Sequence, residues 1–279
     1  MNRSRCLVAG PWLGEFGWEC FCWQAYIRAY SRKFDKSIII SQGNTKELYS
    51  DFADAYIKFN KPGVAVMSER RGYRYNVQDV KKILNESDID LDSHDLNIVL
   101  PTHINTAHIH FTKTISCGPM GILKPEYVKL GIRQHETSKC VVFHARNRKH
   151  RPADNWKLKH WQHLASQLME DGYTIISIGT KNESLHVPNT VDKRGAPFAD
   201  VIDILNKCDY LFGPTSGGTH ISFLCETPQV LWSVPGNRLR NEINWNPFSS
   251  PVLFLDKYSW HPPAAYVYEE FKRWKGEEL

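Results

Sequence analysis

Short apolar runs alternate with amphipathic stretches along most of the chain. Residues 5–9 (RCLVA) form an apolar run that ends at Gly10-Pro11, residues 16–34 have helical spacing, and residues 37–40 (SIII) are β-branched. This order predicts a strand, a turn, a helix and a second strand. Weaker signals of the same kind follow, for strands at 63–67 and 96–100 and for a helix at 78–87.

The second half of the chain shows the same alternation more clearly. Apolar runs at 140–144, 173–179, 210–213 and 229–232 alternate with helical patterns at 156–172 and 198–208. Strands that alternate with helices are typical of a parallel sheet covered on both faces. We therefore predict the α/β class, with ligands at the carboxyl ends of the strands.

The length favours two lobes, because a single core stops growing near about 250 to 300 residues. The chain has 279 residues, and its least regular segment runs from 102 to 136. We predict a first lobe over 1–136, a second over 137–258, and a C-terminal helical segment over 259–279. Two such lobes imply a cleft between them.

Composition and charge narrow the class of protein. Hydrophobic residues make up 42% of the chain and charged residues 23%, which excludes a disordered protein. The net charge of +5 is too small to prove a polyanionic partner. The seven cysteines show no Cys-x-x-Cys spacing and no apolar segment is long enough for a membrane span, so we expect a cytoplasmic protein.

The most informative motif is GPTSGGTHISFLCETP at 213–228, where an apolar strand enters a turn rich in glycine and hydroxyl residues before a helix. Free backbone N–H groups and the helix dipole make such a turn a site for anions. The alternative is a capped helix that binds nothing. The residues expected to hold a diphosphate are Thr215, Ser216, Gly217, Gly218, Thr219 and His220.

A basic loop, RNRKHRPADNW at 146–156, follows another predicted strand. A fixed cation there would offset the charge that develops on a diphosphate leaving group. A solvated loop, or one that contacts nucleic-acid phosphates, are the alternatives, and Trp156 could instead begin the buried face of the next helix. The residues expected to bind the molecule that carries the diphosphate, here and after the neighbouring strand, are His144, Arg146, Lys149, Trp156, Lys157 and Gly179.

The run GPTSGGTHISFLCETPQVLW resembles the Gly-x-Asp-Ser-Gly-x-x-His motif of the heptosyltransferase-like glycosyltransferases. The matching residues are Gly213, Ser216, Gly217, His220 and Pro228, while Thr215 replaces the Asp of the family, which leaves the donor sugar open. The resemblance implies the GT-B fold, two Rossmann-like lobes with parallel sheets, and a nucleotide-diphosphate sugar as co-substrate. It also implies that the C-terminal helix crosses back to the first lobe, rather than packing on its own lobe.

The turn after the first strand carries two carboxylates. Leu13-Gly14-Glu15 resembles the Gly-Leu-Gly-Asp-like turn whose acidic residue faces the acceptor in the same family. A carboxylate in a partly desolvated cleft can remove the proton of an acceptor hydroxyl, so Glu15 is the first candidate for the catalytic base and Glu19 the second. Stabilisation of the helix dipole is the alternative. The neighbours expected to contact the acceptor are Trp12, Gly14 and Trp18.

A second basic cluster, ERRGYRYN at 69–76, combines arginines with aromatic rings. Arginine forks pair with phosphates and tyrosine rings stack on bases, although a solvated hairpin tip has the same composition. We expect acceptor contacts from Arg70, Arg71, Tyr73 and Arg74. The acceptor is either a glycan or a hydroxymethylated base in DNA, since phage glucosyltransferases that modify such bases also have the GT-B fold.

The sequence predicts neither a metal nor any other cofactor. His103, His108, His110 and Cys117 match no zinc spacing, and no Asp-x-Asp motif occurs. Together with the resemblance to the heptosyltransferase-like family, this predicts a metal-independent, inverting glycosyltransferase. A nucleotide-sugar epimerase and a non-catalytic module that binds sugar or nucleic acid are the alternatives.

Overall fold

The computed structural model describes residues 4–41, 43, 45–59, 76–87, 89, 93–101, 115–116, 122–134, 137–149 and 151–276. The backbone divides into two compact units, Met1–Val128 and Lys129–Leu279. Some predictions fall outside the described residues: the strand at 63–67, the acceptor residues Arg70, Arg71, Tyr73 and Arg74, and His103, His108, His110 and Cys117.

The first unit contains a parallel sheet of four strands in the order β3-β2-β1-β4. The strands are β1 (Ser4–Trp12), β2 (Lys36–Ser41), β3 (Ala55–Lys58) and β4 (His94–Val99). The sequence pattern ended the first strand at Gly10-Pro11, whereas β1 continues to Trp12 with a shift of register after Ala9. A short antiparallel pair also occurs, β5 (Ile115–Ser116) with β6 (Ile122–Leu123).

The helix predicted after β1 is present, and it contains a π-helical turn. Its segments are α1 (Phe16–Trp18), a π-helix (Glu19–Trp23) and α2 (Gln24–Ser31). The next helix, α3 (Val77–Asn85), begins where the Asn76 side chain accepts hydrogen bonds from the backbone N–H groups of Gln78 and Asp79. Its apolar face, with Val80 and Leu84, packs on one face of the sheet against Cys6 and Val8.

The second unit contains a parallel sheet of six strands in the order β12-β11-β10-β7-β8-β9. The strands are β7 (Cys140–Phe143), β8 (Thr174–Ser177), β9 (Val191–Asp192), β10 (Tyr210–Pro214), β11 (Gln229–Trp232) and β12 (Val252–Leu255). The helices are α4 (Leu158–Glu170), α5 (Phe198–Lys207), α6 (Gly217–Leu224) and α7 (Ala264–Lys275). The two outer strands, β9 and β12, were not predicted from the sequence.

The core of the second unit is rich in aromatic side chains. Phe143 and Phe212, from neighbouring strands, pack against Trp161 of α4 and Phe271 of α7. The C-terminal helix α7 therefore buries its apolar stripe within its own unit, on α4 and the sheet. No helix in the described part of the chain is long and apolar enough to cross a membrane.

Candidate active site

The loop between β10 and α6 forms the beginning of a helix at the carboxyl edge of the second sheet. Ser216 is the N-cap residue of α6, and its backbone N–H donates a hydrogen bond of 2.9 Å to Oγ1 of Thr219. Thr215 donates from Oγ1 to Oγ of Ser233 at 3.1 Å. These bonds fix the turn, and the first peptide N–H groups of α6 give it a positive end.

His144 lies directly beside this helix start. Its Nδ1 is hydrogen-bonded to Oγ of Ser216 at 2.7 Å. The ring also packs against two glycines: a Cβ on Gly218 would lie 2.6 Å from its Cγ, and a Cβ on Gly179 would lie 3.2 Å from its Cδ2. Glycine is therefore required at Gly218, and it is required at Gly179 because a Cβ there would also lie 2.7 Å from Oγ of Ser184 at a φ of +119°.

Both histidines of this site are neutral at pH 7. Burial, and then the charges of Arg146 and Arg148, lower the pKa of His144 to about 4. Burial also lowers the pKa of His220 well below its usual value, with Arg240 and His144 adding to the effect. The His220 ring packs edge-on against Trp245, with a distance of 4.8 Å between ring centroids. The positive charge of the site therefore comes from arginine.

Arg146 places a buried cation at the start of α6. Its Nη1 atom donates a hydrogen bond of 3.1 Å to the Thr215 carbonyl. Its Nη2 atom donates a second hydrogen bond to the Asp154 carbonyl. The guanidinium lies 4.7 Å above the ring of Trp260, and the residue is only 1% exposed. Burial lowers the pKa of Arg146 to about 9, so the group stays charged at neutral pH.

The other predicted cations of the basic loop are on the surface. Lys149 and Lys157 are exposed, and Lys157 is the N-cap residue of α4. Arg148 was not among the predicted site residues, although its charge lowers the pKa of both His144 and His220. Its backbone is fixed by Asn155, which accepts from Arg148 N at 3.1 Å and donates to Arg148 O at 2.8 Å. The only sequence signal for Arg148 is its position two residues after Arg146.

Trp156 lies in the core rather than on an open face. It is 1% exposed, its Nε1 donates to the Pro262 carbonyl at 2.8 Å, and its ring is 4.7 Å from that of Trp232. The side chain therefore has no surface to offer to a nucleotide in this arrangement. Its contacts with Pro262 and Trp232 fix the end of the loop that carries Arg146.

The loop after β11 brings further polar groups to the same edge, and these were not predicted from the sequence. Asn237 donates from Nδ2 to Oγ of Ser233 at 2.6 Å, and Ser233 in turn accepts from Thr215. Arg240 donates to Oδ1 of Asn237 at 2.8 Å. This chain of hydrogen bonds connects the start of α6 to the next strand end.

The first unit presents Glu15 at the turn after β1. Its carbonyl accepts hydrogen bonds of 3.1 Å from the backbone N–H groups of Trp18 and Glu19, and the residue is partly exposed. Two of the aromatic residues predicted to contact the acceptor are buried here. Trp12 is fully buried and stacks on Trp23 at 5.5 Å, and Trp18 is 6% exposed.

Glu19 is fully buried, and its Oε1 atom accepts three hydrogen bonds. The donors are Oγ of Ser41 at 2.5 Å, the hydroxyl of Tyr49 at 2.7 Å and Oγ1 of Thr45 at 3.0 Å. Burial raises the pKa of Glu19 to about 7, although the three hydrogen bonds oppose the shift. Its environment differs sharply from that of Glu15.

Comparison with known proteins gives relatives by structure alone. No family model and no curated protein matches the sequence. A family 9 glycosyl transferase from Veillonella parvula has a TM-score of 0.56 and 12% identity, covering 97% of this chain and 92% of its own. E. coli ADP-heptose LPS heptosyltransferase II has a TM-score of 0.56 and 13% identity, and the match covers 96% of this chain and 98% of that one. E. coli heptosyltransferase WaaC with ADP has a TM-score of 0.57 and 12% identity, and the match covers 96% of this chain and 99% of that one.

These similarities define the class of fold. The chain is an α/β protein with two parallel sheets, and it has the GT-B fold of the heptosyltransferases, as the sequence motif implied. Among the described residues, no group of three or more His, Cys, Asp or Glu side chains is arranged to hold a metal ion.

Proposed function

We propose that the protein is a glycosyltransferase that moves a sugar from a nucleotide-diphosphate donor to an acceptor hydroxyl. The observation that carries the proposal is the start of α6, where Ser216 and Gly217 stand at the positive end of the helix and the buried Arg146 guanidinium is bonded to Thr215. The GT-B fold supports it, because the similar E. coli heptosyltransferase was solved with ADP.

The diphosphate would bind at the start of α6. The first backbone N–H groups of a helix have no partner within the helix and can donate to an anion, and the Ser216 hydroxyl would add a donor by turning from the Pro214 carbonyl. When the sugar leaves, negative charge develops on the diphosphate, and the charges of Arg146 and Arg148 offset it without a metal ion. The neutral His144 orients Ser216 and adds no charge of its own.

Glu15 would act as the general base. An inverting transfer is a single displacement, in which a carboxylate takes the acceptor proton while the hydroxyl oxygen attacks the anomeric carbon. Glu15 is partly exposed, whereas Glu19 is buried and already accepts from three hydroxyl groups. We therefore assign the base to Glu15 and a structural role to Glu19.

The acceptor is a glycan or a hydroxymethylated base in DNA. The residues that bear on this choice, Arg70, Arg71, Tyr73 and Arg74, lie outside the described residues. A DNA acceptor requires the base to be flipped out of the duplex. Either acceptor would present a hydroxyl group to the carboxylate of Glu15 and to the sugar donor.

Thermal unfolding with a panel of nucleoside diphosphates and nucleotide sugars tests the donor site. A ligand at about 100 times its dissociation constant adds about 2.7 kcal/mol to the stability of the protein. We expect one nucleoside diphosphate to raise the unfolding midpoint selectively. ADP is the first compound to test. No shift with any nucleotide, in a protein that unfolds cooperatively, would overturn the donor site.

A second measurement separates the transferase from its alternatives. Nucleoside diphosphate release is followed with the selected nucleotide sugar, with and without glycans and hydroxymethylated DNA. Release that requires an acceptor supports the transferase. Turnover of the nucleotide sugar into an epimer without an acceptor would identify an epimerase, and binding without any turnover would identify a non-catalytic module.

A further inference from the structure

Two cysteines that are distant in the sequence meet at the amino edge of the second sheet. Cys140 begins β7 and Cys208 follows α5, and their Sγ atoms are 2.8 Å apart although 68 residues separate them. The backbone fixes this pair, because Asp209 N donates to the Cys140 carbonyl at 2.7 Å and the next residues pair as β7 and β10. The contact is therefore built into the sheet.

The two thiols have different environments. Cys140 is partly exposed, whereas Cys208 is 1% exposed. The hydrogen bond from the Cys208 thiol lowers the pKa of Cys140, and the same contact, together with burial, raises the pKa of Cys208. An accessible thiol with a lowered pKa beside a buried second thiol is the arrangement of an attacking and a resolving cysteine.

An open cavity of about 790 Å³ lies against the chain neighbours of both cysteines. Lys139 and Asp209, which are adjacent to Cys140 and Cys208 in the sequence, line it. Three further cationic residues contribute to its wall, Lys129, Arg133 and Lys275, together with a second carboxylate, Glu226, which pairs with Lys129. The cavity is large enough for a small peptide disulfide, and its four cationic residues outnumber its two carboxylates, so the excess positive charge suits the carboxylates of such a molecule.

We propose that Cys140 and Cys208 form a reversible intramolecular disulfide by exchange with a small carboxylate-bearing disulfide. The Cys140 thiolate attacks one sulfur of that disulfide, a mixed disulfide forms, and one small thiolate leaves. The Cys208 thiol then loses its proton and attacks Sγ of Cys140, which releases the second small thiol. One external disulfide is thus reduced to two thiols while the two cysteines are oxidised to one disulfide.

This site is separate from the proposed donor site, and its chemistry does not depend on it. Cys140 stands at the amino end of β7, whereas His144 follows the carboxyl end of the same strand. The disulfide would tie the beginning of β7 to the end of α5. Its formation can therefore be measured without any nucleotide.

Peptide mapping of the full-length protein tests the proposal. The reduced chain is incubated with oxidised glutathione, quenched with acid, and alkylated with iodoacetamide under denaturing conditions. We expect one internally linked pair of peptides, joined through Cys140 and Cys208, with two fewer free thiols than the seven of the reduced chain. Dithiothreitol should restore both thiols. Full alkylation of both cysteines, glutathione retained on Cys140, or a link from Cys140 to another cysteine would each overturn the proposal.

A variant adds a readout that does not depend on alkylation. A bond that closes a loop of this size should raise the unfolding midpoint of the oxidised wild type on the order of 10 °C. Cys140→Ser, a replacement at the more exposed of the two positions, should show no shift on oxidation. Equal oxidation shifts in the wild type and in Cys140→Ser would contradict the assignment.

Discussion

His144 and Ser216 are hydrogen-bonded through Nδ1 and Oγ at 2.7 Å, although 72 residues separate them. The pairing of β7 with β10 brings them together, since His144 N also donates to the Phe212 carbonyl at 3.0 Å. The ring is neutral because burial lowers its pKa to about 4. In the Nδ1–H tautomer, His144 donates to Ser216, and the serine hydroxyl in turn donates to the Pro214 carbonyl at 3.0 Å.

The first prediction is that Ser216→Ala weakens binding of the nucleoside diphosphate by about 10- to 100-fold. A hydrogen bond to a charged group contributes about 1.5 to 3 kcal/mol, and the serine hydroxyl would donate one to the diphosphate by turning away from the Pro214 carbonyl. Titration calorimetry with the nucleotide selected by the thermal panel measures the change.

Ser222→Ala is the matched control for this prediction. Ser222 lies on the same helix, is fully buried, and donates to the Thr219 carbonyl at 2.7 Å. Its loss should lower the stability of the protein without changing nucleotide affinity. Equal affinities in the two variants would remove Ser216 from the donor site.

The second prediction separates the cations of the basic loop. Arg146→Met should weaken diphosphate binding by about 100-fold or more, and it should destabilise the protein by about 2 kcal/mol because two carbonyls lose their donor. Lys149→Met removes an exposed charge, so it should change the affinity by less than about 10-fold and stability by less than about 0.5 kcal/mol. Calorimetry and urea unfolding of both variants measure these values. A larger loss of affinity in Lys149→Met would reverse the two assignments.

The third prediction concerns the base. Glu15→Gln should lower turnover by about 10² to 10⁴ while donor affinity stays nearly constant, because the lost group acts only on the acceptor proton. Steady-state release of the nucleoside diphosphate and nucleotide titrations provide the two readouts. Near-normal turnover in Glu15→Gln would exclude this residue as the base.

Local sequence patterns predicted the helix start that carries the proposed site. The buried strand before Thr215, the glycines after it and the amphipathic stretches around it are short-range signals, and each corresponds to an observed element. The fold class follows from the same alternation. These features depend mainly on residues that are neighbours in the sequence, so they can be predicted without knowledge of the tertiary structure.

Other features depend on which elements pack together. Nothing local distinguishes Trp156 as a core residue, since its burial comes from Trp232 on a distant strand. Arg148 gains its effect only where the loop approaches His144 and His220. Cys140 and Cys208 likewise come together only because β7 and β10 are neighbours in the sheet. The strand order cannot be predicted from a single sequence.

The fourth prediction is that transfer activity survives EDTA. The start of α6 and the buried Arg146 would supply the positive charge that metal-dependent enzymes take from a bound cation. The assay is release of the nucleoside diphosphate in the presence and absence of excess EDTA. Complete loss of activity that returns on addition of a divalent metal would contradict it.

The fifth prediction concerns the pH dependence of stability through Glu19. Its pKa is raised to about 7 by burial, so the folded state binds the proton more tightly than the unfolded chain, where the pKa has its ordinary value of 4.5. The stabilisation is fully present below pH 4.5 and is lost as the pH rises from 4.5 to about 7. The change amounts to about 3 kcal/mol across this range.

Glu19→Gln should remove this component, because the amide does not titrate and its carbonyl can still accept from Ser41, Thr45 and Tyr49. Urea unfolding at intervals between pH 4 and pH 8 gives the difference between variant and wild type. That difference should shift in favour of the variant by about 3 kcal/mol as the pH rises. Glu86→Gln, which removes an exposed carboxylate from the same unit, is the control and should follow the wild-type profile. A constant difference between Glu19→Gln and the wild type over this range would show that Glu19 does not titrate there, and its assignment as a buried structural acid would fail.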